Sequence, residues 1–139
     1  MKGRIAWVKD LTFVAESGSN HAVVMSASKQ AGGPTLGPSP MEYVLLGTGG
    51  CTATDVVLIL EKGRHKVTGC EVTLDADRAE TDPKVFTKIR LHFKVTGKGL
   101  TRDVVERAIN LSADKYCSAS AMLAKTAEIT HDFEIVDES

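Results

Sequence analysis

The sequence predicts an α+β fold, and three observations carry that prediction. Short runs of β-branched and aromatic residues, separated by turn signals, fill the first third. A long apolar helix follows. Two long strands of period-two pattern come next, then two further helices and a last strand. The 139 residues, 42% hydrophobic and 25% charged, have the size and composition of one soluble domain over 1–139. A net charge of −1 offers no electrostatic basis for binding nucleic acid or an anionic membrane. The opening Met1-Lys2-Gly3-Arg4-Ile5 lacks the apolar run of a signal peptide, and the three cysteines then point to the reducing cytoplasm.

The first three strands are expected at 3–8, 11–16 and 21–27. Lys9-Asp10 makes a two-residue link and Ser17-Gly18-Ser19-Asn20 a turn, so an antiparallel meander is expected. Residues 28–39 hold three glycines and two of the four prolines, which marks a long loop. Ser39 is suited to cap a helix and Pro40 to its first position, where a missing N–H costs nothing. The helix is expected over 41–62, stopped by Gly63. Val44, Leu45, Leu46 and the run from Val56 to Leu60 leave it little polar face, as in a helix buried at the centre of a fold. Gly47, Gly49, Gly50, Thr52, Thr54 and Asp55 interrupt its apolar stretch. They favour a buried helix of a soluble protein over a membrane span and leave room for a partner helix or a ligand.

In the strand expected at 69–79, Cys70, Val72, Leu74 and Ala76 share a face. In that at 85–97, Val85, Ile89, Leu91, Phe93 and Val95 do. The alternation predicts a sheet with one buried and one wet side, joined by a hairpin at 80–83. A helix starts near Thr101 and carries Val104, Val105, Ala108, Ile109 and Leu111 at helical spacing. A short helix at 118–125 and a strand at 128–136, burying Ile129, Phe133 and Ile135, complete the chain. Hairpins rather than crossovers predict antiparallel sheets.

Chemistry centres on two cysteines with small and hydroxyl neighbours. Cys51 sits in Gly49-Gly50-Cys51-Thr52, and Cys117 in Tyr116-Cys117-Ser118-Ala119-Ser120. Two thiols that meet in a fold can run a redox cycle, one attacking and the other resolving. Cys70 lies among Val72 and Leu74 and reads as a small packed hydrophobe. His131 reads as a core or interface histidine beside Ile129 and Phe133. His21, His65 and His92 have no partner at metal-ligand spacing, and with no CxxC and no HxxxH neither a metal nor a cofactor is expected. Asp55 follows Cys51 by one helical turn. There a carboxylate raises a thiol pKa, unless a neighbouring backbone or hydroxyl group engages it.

At these residues the chain resembles a family. The run Gly37-Pro38-Ser39-Pro40-Met41-Glu42-Tyr43-Val44-Leu45-Leu46-Gly47-Thr48-Gly49-Gly50-Cys51 looks like the cysteine-bearing helix of the OsmC/Ohr family. Lys115-Tyr116-Cys117-Ser118-Ala119-Ser120-Ala121-Met122-Leu123, followed by a Glu-Ile-Thr strand, looks like its second-cysteine segment. The separation, 117 − 51 = 66 residues, and the strand order agree, and Ser-Pro-Met-Glu with Gly-Gly-Cys-Thr-Ala is most similar to the YhfA-type branch.

The resemblance implies an intertwined homodimer with its long helices between antiparallel sheets. It implies thiol-dependent reduction of small apolar organic hydroperoxides, with Cys51 peroxidatic, Cys117 resolving and a thiol or dithiol as reductant. Leu45, Leu46, Gly49 and Gly50 would form the substrate pocket. In the family's peroxidases a glutamate directly after the helix proline holds an arginine beside the thiolate. Here Met41 takes that place and Glu42 comes one residue later. The candidate cations are Arg4 on the first strand and Lys29 in the loop. Without a glutamate–arginine pair, Cys51 is expected to stay near its ordinary pKa and react slowly. The alternative is a non-catalytic dimer that senses redox state or binds a small ligand.

Overall fold

The computed structural model describes residues 1–138. Within the span expected as one domain, the chain gathers into two compact units, Met1–Leu45 and Leu46 onward, with the boundary inside the long helix.

The first unit is a meander of β1 (Gly3–Lys9), β2 (Thr12–Ser17) and β3 (Ala22–Ser26), antiparallel throughout. The links fall where turn chemistry places them, with Asp10 and Asn20 at positive φ. The loop after β3 holds one 3-10 turn, Lys29–Ala31, closed by Gly32 at φ 82°. Its return is fastened by Ser26 N–H donating to Pro38 O at 3.0 Å and by the Tyr43 hydroxyl donating to Val24 O at 2.6 Å.

Helix α1 (Pro40–Lys62) begins in a capping box. Glu42 N–H donates to Ser39 Oγ at 3.3 Å, and Ser39 N–H donates to the Glu42 carboxylate at 2.9 Å. These bonds hold the Glu42 carboxyl below its usual range, the Ser39 N–H contributing most. The helix is long and apolar enough, by length and composition, to cross a membrane. Within the single chain its burial is one-sided. Thr48, Thr52, Val56 and Leu60, one turn apart, are buried. Leu46, Gly50, Thr54 and Leu58, on the opposite side of the helix, are exposed.

In the second unit, β4 (Lys66–Arg78), β5 (Phe86–Lys98) and β6 (Glu128–Asp137) form one sheet with β5 in the middle. Being covered on both edges, β5 carries most of the buried apolar strand residues: Phe86, Ile89, Leu91, Phe93 and Val95. A register shift at Asp77 and Arg78 pairs Arg78 with Phe86 and skips Thr87. The skipped residue turns Phe86 inward, and Val85, expected on the buried face, is left exposed. Strand β6 runs parallel to β5. The expectation of antiparallel sheets therefore fails at this pair, because helices α2 (Arg102–Leu111) and α3 (Ser118–Leu123) carry the chain back before β6 begins. Thr101 caps α2 through its side chain, which accepts from Val104 N–H. Gly49 of α1 lies so close to the sheet that a Cβ there would stand 2.8 Å from Leu74 Cδ1.

Candidate functional site

Two helix segments of the second unit supply the site. Cys51 lies in the middle of α1, one position before buried Thr52. Cys117 is delivered by a break in helical geometry. After α2 the chain makes a π-helical turn, Ser112–Tyr116, and Cys117 N–H closes it on Ser112 O at 2.8 Å. Such turns are rare and recur at functional sites. Cys117 then adopts extended φ and ψ and becomes the N-cap of α3, its sulfur accepting from Ser120 N–H at 3.4 Å. Nothing in the residues 112–116 signalled this turn at the level of sequence.

The two cysteines meet. The sulfurs of Cys51 and Cys117 and a carboxylate oxygen of Asp55 all lie within 4.8 Å of one another. Cys51 is half-buried, and Cys117 is 2% exposed. Cys51 Sγ stands 3.9 Å from the Ser118 hydroxyl. The carboxylate is anchored, as its alternative reading required: Ser112 Oγ donates to Asp55 Oδ2 at 2.9 Å, and Ser112 and Thr52 hydroxyls are 2.8 Å apart in the buried interior.

Electrostatics separates the two thiols. The Ala119 backbone N–H, with smaller contributions from Cys117 and the Ser118 hydroxyl, lowers the Cys51 pKa, opposed by burial and by Asp55. Burial, reinforced by its neighbour Cys51, raises the Cys117 pKa despite the bonds from Ser120. The expectation of an ordinary Cys51 pKa is thus corrected, and the stabilising group is a backbone amide, which no search for a basic side chain could find. The surroundings thus shift the two thiols in opposite directions, Cys51 down and Cys117 up.

The remaining expected site residues have these places. Arg4 pairs with Glu16 on the exposed side of β1 and β2 at 3.3 Å. Lys29 is exposed in the 3-10 turn, and Glu42 is engaged in the capping box. Leu45 is half-buried, while Leu46 and Gly50 are exposed. Gly49 spends its smallness on packing against Leu74. Beside Asp55 opens a cleft of about 450 Å³, walled by Leu58, Ile59, Leu111 and Tyr116 with Lys62 and Arg107. Cys70 is half-buried on β4, where desolvation pushes its thiol up. His131, expected in the core or an interface, is exposed, and its ring meets the edge of Phe93 with centroids 6.4 Å apart.

Comparison with known proteins gives a consistent family. Residues 32–132 match the family model described as OsmC-like protein. Protein YhfA of Escherichia coli K12 is 49% identical over 136 residues, covering 98% of both chains. The crystal structure of a hypothetical protein from Aquifex aeolicus VF5 superposes with TM-score 0.87 at 25% identity, over 99% of this chain and 97% of that one. An organic hydroperoxide resistance protein OsmC from Legionella pneumophila shares the fold, with TM-score 0.72 at 11% identity over 96% of this chain and 95% of its own.

Proposed function

This chain belongs to the OsmC-like protein family, and on that premise we propose that it reduces organic hydroperoxides by two-cysteine chemistry. The observation that carries the reading is the sulfur pair within 4.8 Å, with the Cys51 pKa lowered and that of Cys117 raised.

The Cys51 thiolate attacks the distal oxygen of ROOH. The O–O bond breaks, ROH leaves with a proton, and Cys51 becomes a sulfenic acid. The Cys117 sulfur, losing its proton, then attacks the Cys51 sulfur, and water departs as the disulfide forms. A thiol or dithiol reductant restores both thiols by exchange. The Ala119 N–H stabilises the attacking anion, so neither Arg4 nor Lys29 is required. The cleft beside Asp55, where Leu58, Ile59, Leu111 and Tyr116 stand with Lys62 and Arg107, offers space for the organic part of a small hydroperoxide. The working form is a homodimer, supported by the exposed stripe of Leu46, Gly50, Thr54 and Leu58 on α1, an apolar surface that a second copy would cover. The same reading expects the reducing cytoplasm, where thiol reductants are available.

The non-catalytic alternative is favoured by the capture of Glu42 in the helix cap, which removes it from any arginine clamp. The two readings separate in one experiment. Reduced protein is mixed with cumene hydroperoxide and a dithiol reductant, and peroxide loss is followed. Sustained loss that disappears in Cys51→Ser supports the peroxidase. Formation of a single disulfide without turnover supports the sensor.

A further inference from the structure

Asp55 has no use in the peroxide chemistry, since a carboxylate beside Cys51 raises its pKa and weakens the nucleophile. Yet its position is enforced by the hydroxyl chain Thr52–Ser112–Asp55. We propose that Cys51, Cys117 and Asp55 form a binding site for a thiophilic divalent metal ion, with zinc as the ion that fits best.

The donor set is two sulfurs and one carboxylate oxygen, mutually within 4.8 Å. With Zn–S near 2.3 Å and Zn–O near 2.0–2.2 Å, neighbouring donors in a tetrahedral site lie roughly 3.5–3.8 Å apart. The donors stand at most on the order of an ångström wider than that, a gap a bound ion would close. Three protein donors leave one tetrahedral position, which a water or an external thiol fills. Thiolates select zinc over magnesium or calcium, which prefer all-oxygen sets.

The support around the donors matches what metal ligands need. Ser112 Oγ donates to Oδ2 of Asp55 at 2.9 Å, which orients the carboxylate. Ser120 N–H donates to Cys117 Sγ and the Ala119 N–H reaches the sulfur of Cys51, so both thiolates keep a hydrogen bond when bound. A divalent ion offsets most of the charge of two thiolates and a carboxylate, which the half-buried site could not hold without it. Sequence spacing could not show this set, because the donors come from two elements 66 residues apart. Metal and disulfide exclude each other, since both need the same two sulfurs.

The test uses the reduced, chelator-treated full chain. Titration with Co²⁺ should produce thiolate-to-cobalt charge transfer and d–d bands of tetrahedral strength, saturating at one ion per chain, and Zn²⁺ should abolish them. Asp55→Asn, which keeps the shape and the acceptor for Ser112, should weaken binding at least about tenfold, the scale seen when even a supporting group is lost. Cys70→Ser should leave it unchanged. In the unmutated protein Zn²⁺ should shield Cys51 and Cys117, but not Cys70, from alkylation. Absence of charge transfer at saturating Co²⁺, unchanged affinity in Asp55→Asn, or equal shielding of Cys70 would each overturn the site. None of these readouts involves peroxide turnover, so the site and the peroxidase reading stand or fall separately.

Discussion

The amide of Ala119 is the largest cause lowering the Cys51 pKa, and removing that one N–H isolates its effect. Ala119 is the second residue of α3, where a helical N–H has no acceptor one turn back. Proline is tolerated in a first helical turn because of this vacancy. Ala119→Pro therefore deletes the bond to Cys51 without deleting a backbone bond of the helix. A hydrogen bond to a charged acceptor contributes about 1.5–3 kcal/mol, and one pKa unit corresponds to about 1.36 kcal/mol. Solvent at the half-buried sulfur places the effect near the lower end of that range. The Cys51 pKa should rise, and alkylation at neutral pH should slow about tenfold. Rates resolved by peptide mass across a pH series give the value for Cys51 alone, with Ala119→Gly, which keeps the N–H, as the control. A Cys51 pKa that is the same in the proline and glycine variants, both still melting cooperatively, would refute the assignment of the thiolate to this amide.

Two further outcomes are expected. Gly50 is exposed in mid-helix and a Cβ there meets nothing within 4 Å in the chain, so Gly50→Ala should stabilise the isolated fold by about 1 kcal/mol through helix propensity. If a second copy packs on this stripe, the same methyl should weaken the dimer, and sedimentation over a concentration series together with denaturant unfolding reads both effects. His92, held by Asp132 at 2.7 Å and Glu134 at 3.2 Å, has a raised pKa, with the Asp132 hydrogen bond the largest cause. A raised pKa contributes stability that is full below the ordinary histidine value of about 6.5 and is lost as pH climbs through the folded value. The Tm advantage over His92→Asn should therefore shrink as pH rises from about 6 to about 8, and an advantage independent of pH would show that the ion pairs contribute nothing.

Local chemistry was legible in the chain. Ser39-Pro40 and the run to Lys62 specify α1 because caps, proline geometry and apolar content act within a few residues. The alternation in β4 and β5 is read as easily, since side chains of a strand change face at every step. The proximity of Cys51 and Cys117 came from family resemblance, and the coordinates agree with it. What local pattern could not supply was anything depending on how elements meet. The skipped Thr87 that turns Phe86 inward, the parallel return of β6 and the exposed stripe of α1 follow from pairing and packing between distant segments. So does the lowered pKa of Cys51. A basic side chain was the expected source of such stabilisation, but its largest cause is the partial charge of a peptide N–H, which every residue except proline carries and which acquires meaning only when tertiary structure aims it. The same holds for Asp55. Its place one turn after Cys51 was visible in the sequence, while Ser112 and Cys117, which anchor it and complete its neighbourhood, are brought there by a π-helical turn whose residues carry no distinguishing pattern.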